Sequence, residues 1–234
     1  MTAVVRNRFY PVVALVLAAL VLVAFARTYY LRYWFDVPPI TVLLHLHSIV
    51  FTAWVVLFVI QTRLIAKQDY RTHMQLGIAG IGVAVLVVIL GVATAVVSAS
   101  APRVRPMGMN SQQFVFVPLL AISSFAILVA AAVALRKRAQ LHKRLMMLAM
   151  ISVLGPPIAR LIMVTQTGKY FLAIQMAVPA AFIVWCLVGD WTKYRVVHPI
   201  YSIGGAILVL SWPLRVWVAQ TPAWENVGRW LAGI

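Results

Sequence analysis

Long apolar runs separated by short polar stretches dominate the pattern of this chain. Each run holds about 20 residues, the length that an α-helix needs to cross the hydrocarbon core of a bilayer. The predicted spans are 10–26, 40–62, 74–98, 114–135, 145–165, 171–189 and 199–219. Because every connection is short, successive helices must run antiparallel to each other. The pattern predicts an all-α integral membrane bundle of about seven transmembrane helices, with one leading helix and three hairpins.

Composition supports a membrane protein and changes how the charge is interpreted. Hydrophobic residues make up 64% of the 234 residues and charged residues only 10%, against about a quarter in soluble domains. We therefore predict a single transmembrane domain over 1–234. The net charge of +16 would fit nucleic acid in a soluble protein, but here the basic residues lie between apolar runs. The expected partner is the lipid bilayer, and nucleic acid is not expected.

The distribution of Lys and Arg predicts the orientation of the bundle. These residues are more frequent in the loops that lie inside when the amino terminus, with Arg6 and Arg8, is cytoplasmic, and the densest cluster is 136–144. Positive charge near the ends of spans marks the cytoplasmic side. We therefore expect a multi-pass protein of the bacterial inner membrane with a cytoplasmic amino terminus.

Three histidines recur at corresponding places in the three hairpins. His73, His142 and His198 each follow a polar inner loop at the start of a helix, which should bring them to one depth near the inner surface. Neutral imidazole ligates haem iron and other metal ions, so these residues are candidate ligands for a cofactor such as haem b. The alternative is a set of interfacial histidines among basic loops, since no ligand-spacing motif links them.

Arg160 lies inside the fifth predicted span, where a buried Arg costs about 2.5 kcal/mol or more. It either extends to the outer headgroups or faces the bundle to bind an anionic or carbonyl group. His142 precedes it by 18 residues, close to five helical turns, which favours an inward face. His45, Gln175 and Arg215 reach about the same outer depth on other helices. Together with Arg160 they predict an outer polar pocket, and His45 and Arg160 are also candidate cofactor-binding residues.

Two histidines open the second span on its outer side. His45 shares a helical face with Thr41, Ser48 and Thr52, whereas His47 lies about 200° away from His45. This spacing favours His45 as the residue that faces the bundle. The alternative is that His45 is a hydrogen-bonded histidine at a helix end.

Two further features bear on architecture and function. Gly155-Pro156-Pro157 should kink the fifth helix, because proline removes backbone donors.

All four acidic residues lie outside the predicted spans or at their ends: Asp36, Asp69, Asp190 and Glu225. Ion pumps and cation transporters usually carry a carboxylate inside the membrane, so this distribution makes those functions less expected.

Several stretches resemble a family of uncharacterised bacterial inner-membrane proteins. They are LHKRLM at 141–146, PPIAR at 156–160, VHP at 197–199 and TPAW at 221–224, and the resemblance extends over most of 40–234. It implies a polytopic membrane fold and no particular activity. More distantly, histidines on successive spans are similar to those of cytochrome b561-type haem proteins. That similarity implies haem held between histidines of facing helices.

The sequence assigns no reaction, and several functions fit it. The first is a redox or cofactor-binding membrane protein that holds haem b or a quinone. The second is a non-catalytic structural or accessory subunit of a larger membrane complex, with other membrane subunits as partners. A small-molecule transporter is a third and less expected function.

Overall fold

The computed structural model describes residues 8–101 and 105–233, and these ranges form helices and connecting turns without a β-strand. Seven helical segments are long and apolar enough to cross a membrane: Phe9–Tyr30, Val42–Ala66, Tyr70–Ala99, Ser111–Ala134, Ala139–Val164, Gly168–Tyr194 and Ile200–Ala219. The structure thus confirms the predicted all-α bundle. The amino terminus, including Arg6, lies outside the described residues, and its cytoplasmic location stays a prediction.

Contacts divide the chain into two compact units, Met1–Val87 and Val88–Ile234. The boundary falls inside one continuous helix. The prediction of one transmembrane domain over 1–234 stays a prediction, and each unit is described by itself below.

The first unit contains α1 (Phe9–Phe25), α2 (Val42–Ala66) and the beginning of α3 (Tyr70–Ala99). A short π-helical turn extends α1, and Thr41 caps α2 by accepting a hydrogen bond from the Leu44 amide. Tyr30 Oη lies 2.8 Å from Thr52 Oγ1, which ties the end of α1 to α2. Gln61 donates to the carbonyl oxygen of His73 at 3.2 Å and so links α2 to α3.

The second unit contains the end of α3 and seven further helices. They are α4 (Ser111–Phe114), α5 (Phe116–Ala134), α6 (Ala139–Ser152), α7 (Gly155–Val164), α8 (Phe171–Tyr194), α9 (Gly205–Ala219) and α10 (Pro222–Ala232). The span made of α6 and α7 is the most enclosed, with 61% of its apolar window buried against 17–33% in the other spans. It therefore forms the core of this unit.

The core span is broken where the sequence predicts a kink. α6 ends at Ser152 and α7 begins at Gly155, with both prolines of the Gly-Pro-Pro motif in its first turn. At the start of α7, the Gly155 carbonyl accepts a hydrogen bond from Gln175 of α8. The break overturns one sequence argument. The 18-residue spacing between His142 and Arg160 does not define one helical face, because no continuous helix joins them.

A short amphipathic helix closes one end of the second unit. Glu225 in α10 accepts hydrogen bonds from Asn110 at 3.4 Å and from Gln113 at 3.2 Å. Trp224 packs edge-on against Phe116, with ring centroids 4.6 Å apart. These contacts join α10 to α4 and to the beginning of α5.

Large apolar side chains cover the outer faces of the helices. Ile78, Ile127 and Ile207 have exposed fractions of 74%, 68% and 63%. Water would not tolerate so many exposed aliphatic side chains, whereas lipid does. These faces indicate a multi-pass protein in a lipid bilayer.

Candidate functional site

Arg144 and Asp190 form a buried ion pair between α6 and α8. Their exposed fractions are 3% and 2%. The Arg144 guanidinium donates from Nε to Oδ2 at 2.7 Å and from Nη2 to Oδ1 at 2.8 Å. Its Nη1 donates to the backbone and side-chain oxygens of Gln140 at 2.7 and 3.0 Å. Bidentate geometry and full hydrogen bonding are what a buried pair needs to offset desolvation.

Aromatic rings enclose this ion pair, and we call the group the Arg144 cluster (Gln140, Arg144, Asp190, Tyr194 and Tyr201). The guanidinium carbon lies 5.5 Å from the Tyr194 ring centroid and 5.8 Å from that of Tyr201. Such contacts stabilise a desolvated cation further. With its donors directed to Asp190 and Gln140, Arg144 is suited to hold two helices together.

Sequence reasoning missed this pair. It treated Arg144 as a loop charge and Asp190 as a residue at the edge of a span. The structure places both inside helices, α6 and α8. One feature of the sequence could have indicated the pair. Asp190 immediately follows an apolar run, at a depth that Arg144 could reach from the neighbouring span.

Arg215 is equally buried but has a different environment. Its exposed fraction is 2%, and its guanidinium carbon lies 4.9 Å from the ring centroid of Trp212. Within residues 8–101 and 105–233 its Nε has no hydrogen-bond partner. Arg215 follows Tyr201 by 14 residues in the apolar segment Ile200–Ala219, so it lies about 20 Å further along this segment and far from the Arg144 cluster.

Gln175 lies beside the same tryptophan. Its Nε2 donates to the carbonyl oxygen of Gly155 at 3.1 Å, and it is 1% exposed. Its Oε1 accepts no hydrogen bond from the part of the chain that the structure describes. The Trp212 ring edge and this oxygen lie 3.1 and 3.9 Å from the Cβ position that Gly155 lacks. Gly155, Gln175, Trp212 and Arg215 therefore form one group, the Arg215 cluster.

The Arg215 cluster presents an unsatisfied donor and an unsatisfied acceptor around an aromatic ring. A buried guanidinium and a buried amide oxygen each lose their hydration, and without a partner each costs free energy. A ligand with an oxygen acceptor and a hydroxyl donor would compensate both. Gln175 and Arg215 were predicted to line an outer pocket, and the structure brings them to the same tryptophan.

The other two residues of the predicted pocket are Arg160 and His45. Arg160 donates a hydrogen bond within its own helix, and His45 belongs to the first unit. Arg160 is half-buried, and its Nη1 donates to Pro156 O of its own helix at 3.4 Å. That it lines the pocket stays a prediction. His45 belongs to the first unit, where its Nδ1 lies 3.2 Å from Tyr29 Oη. His47 packs beside Phe51, with ring centroids 5.6 Å apart.

The histidines predicted to share a cofactor have different local bonds. His142 donates from Nδ1 to Ala132 O at 2.8 Å, so in the neutral ring the proton is on Nδ1. His198 accepts the Ile200 amide at Nδ1, at 3.2 Å, so in the neutral ring the proton is on Nε2. Burial, followed by the positive charge of Arg144, lowers the pKa of His198. His73 belongs to the first unit.

Metal-ligating side chains do not cluster in the described ranges. No group of three or more His, Cys, Asp or Glu residues there is arranged to hold a metal ion. That the three histidines share a ligand stays a prediction.

Comparison with known proteins gives no relative from which a function can be transferred. No protein-family model, no curated protein and no solved structure matches this chain. The resemblance to bacterial inner-membrane proteins and to cytochrome b561 stays a prediction. We therefore infer the function from the Arg144 and Arg215 clusters themselves.

Proposed function

We propose that this protein is a quinone-binding membrane protein of the bacterial inner membrane, and that the Arg215 cluster binds the quinone head group. The observation that carries the proposal is the Arg215 guanidinium, which is buried against Trp212 with an unsatisfied Nε. A buried guanidinium without an acceptor is costly in a membrane interior, and such residues mark functional sites.

The two unsatisfied groups match the two forms of a quinone. A guanidinium N–H donates a hydrogen bond to a quinone carbonyl oxygen, and the Gln175 amide oxygen accepts a hydrogen bond from a quinol hydroxyl. We place the quinone ring beside Trp212, the aromatic ring of the cluster. A fatty-acid carboxylate would also accept from Arg215, but its oxygens would repel the Gln175 oxygen. This complementarity favours a quinone.

A haem site has less support than a quinone site. An axial histidine must offer a ring nitrogen that carries no proton. His142 offers such a nitrogen, but the neutral His198 ring has its proton on the nitrogen that faces away from its backbone contact. His198 would have to break its bond to the Ile200 amide, or change tautomer, before it could ligate iron.

The test is binding of decylubiquinone to the purified protein in detergent, measured as the ligand-dependent rise in the unfolding temperature. R215M removes the donor, and Q175L removes the acceptor. The matched control is K169M, which removes one cation from an exposed residue. R215M should weaken binding about 10- to 100-fold, the value of a hydrogen bond to a charged group. K169M should bind as the wild type does.

Two outcomes would contradict the proposal. Equal affinity of the wild type and R215M for decylubiquinone would mean that Arg215 does not hold the head group. Binding of lauric acid but not of decylubiquinone would assign the cluster to a carboxylate instead. Weaker binding by Q175L, with a larger loss for the reduced quinol than for the quinone, would support the assigned roles.

A further inference from the structure

A basic cleft lies between the beginning of α1 and the end of α2 in the first unit. It has a volume of about 280 Å³ and is lined by Arg8, Pro11, Arg63, Ala66 and Lys67. Three of these five residues are cations, and none is acidic. All three cations are exposed. The cleft therefore concentrates positive charge at one end of two membrane-spanning helices.

The three cations repel one another, although not every position is unfavourable. Arg63 lies in the last turn of α2 and Lys67 directly follows that helix, where the helix dipole favours cations. Like charges four residues apart nevertheless repel each other by a few tenths of a kcal/mol. Arg8 immediately precedes α1, where the helix dipole disfavours a cation. An anion in the cleft would offset the repulsion among the three cations and the unfavourable position of Arg8.

The nearest acidic residue is already engaged. The Asp69 carboxylate accepts a hydrogen bond from the Thr72 amide at 3.1 Å. This bond, followed by the charge of Lys67, lowers the pKa of Asp69. Asp69 thus offsets part of the charge of Lys67, but it is not among the residues that line the cleft.

We propose that this cleft binds the phosphate group of an anionic phospholipid. Charge complementarity selects an anion, and the position at the ends of two apolar spans selects a lipid. Pro11 and Ala66 add apolar surface for the glycerol and upper acyl chains. Basic pockets between helix ends at the cytoplasmic surface are suited to acidic headgroups. The proposal is independent of the quinone site, which lies in the other unit.

The test is native mass spectrometry of the detergent-purified protein with dioleoyl phosphatidylglycerol, with dioleoyl phosphatidylcholine as the zwitterionic reference. The measured quantity is the association constant of the first bound lipid. R63Q/K67Q should weaken binding of phosphatidylglycerol about 25-fold, since each cation near an anionic group contributes about fivefold. R8Q should weaken it about fivefold for the same reason.

Two control variants separate the proposal from general effects. R136Q/K137Q removes two exposed cations from the other unit and should leave the first association constant unchanged. R63K/K67R keeps the charge and should retain binding, which would assign the loss in R63Q/K67Q to the lost charge and not to the replacement of these two side chains.

Three results would overturn the proposal. The first is an unchanged association constant in R63Q/K67Q. The second is equal affinity of the wild type for phosphatidylcholine and phosphatidylglycerol. The third is complete displacement of the lipid by millimolar inorganic phosphate, which would assign the cleft to a free anion.

Discussion

Two arginines in the second unit are almost equally buried, with exposed fractions of 3% for Arg144 and 2% for Arg215. Arg144 donates to both carboxylate oxygens of Asp190 and to Gln140. Arg215 lies against Trp212, and its Nε meets no acceptor among the described residues. Arg144 thus has its counter-ion within the protein. Arg215 has the Trp212 ring beside it but no described anion.

This difference shows that a buried arginine in a membrane protein is interpreted from the groups that surround its guanidinium. Desolvation of a guanidinium costs several kcal/mol in either place. At Arg144, the carboxylate of Asp190 on α8 and the oxygens of Gln140 on α6 offset that cost. The burial of Arg144 therefore has a structural explanation. At Arg215, the described protein offers no such compensation, which is why we assign this position to ligand binding.

The largest expected effect is the loss of the counter-ion of Arg144. D190N leaves a buried guanidinium without an opposite charge and should lower the free energy of unfolding by about 3–5 kcal/mol. Denaturant unfolding in detergent measures it. The control is R144L/D190L, which removes both charges and should recover most of the loss. If the double variant is as unstable as D190N, the ion pair does not account for the effect.

R215M, in contrast to D190N, should not lower the free energy of unfolding of the ligand-free protein by a large amount. In R215M, an apolar chain of similar length replaces a guanidinium that has no described counter-ion. The replacement removes the desolvation cost of the charge. We expect the free energy of unfolding of the ligand-free protein to stay within about 1 kcal/mol of the wild type, or to rise. The same unfolding assay measures it. A loss as large as that of D190N would mean that Arg215 has a structural counter-ion like Arg144.

G155A tests how tightly the Arg215 cluster is packed. A Cβ at Gly155 would lie 3.1 and 3.3 Å from two carbons of the Trp212 ring, so the ring must move. Overpacking of this kind costs about 1–3 kcal/mol, and the shifted ring should also weaken decylubiquinone binding. G82A is the matched control, because a Cβ there meets nothing within 4 Å. If G155A and G82A are equally stable and bind equally, the cluster is not closely packed.

The smallest expected effect concerns His198 beside the Arg144 cluster. Its pKa is lowered by burial and by the positive charge of Arg144, so the folded protein favours the neutral ring. The unfolded chain, with an ordinary pKa of about 6.5, binds more protons just below that value. Stability should therefore fall as the pH drops below about 6.5. H198Q should flatten this dependence between about pH 7 and 5, and an unchanged slope would contradict the shift.

Much of the fold was predictable because span length and hydrophobicity are local properties. Seven apolar runs predicted seven helices, and Gly155-Pro156-Pro157 predicted the break between α6 and α7. Pairing of helix faces is not local. The contact of Arg144 with Asp190 depends on how α6 and α8 are rotated towards each other, and the sequence pattern does not define that rotation.

The candidate site was predicted only in part for the same reason. Gln175 and Arg215 were selected by depth along their helices, which is a matter of counting residues. Arg160 was given more weight because of its spacing from His142, and the break in the helix makes that spacing uninformative. Trp212, which is not among the predicted site residues, is the ring around which the cluster is organised.

The most direct measurement is a crystal structure of the protein with decylubiquinone, at a resolution that shows ordered water. We predict ring-shaped density beside Trp212, with one oxygen within hydrogen-bond distance of the Arg215 guanidinium and the other directed towards Gln175 Oε1. The Arg144–Asp190 pair should have no ligand density beside it. Density for water alone at Arg215, or an acidic side chain in contact with its guanidinium, would contradict the assignment of this arginine to ligand binding.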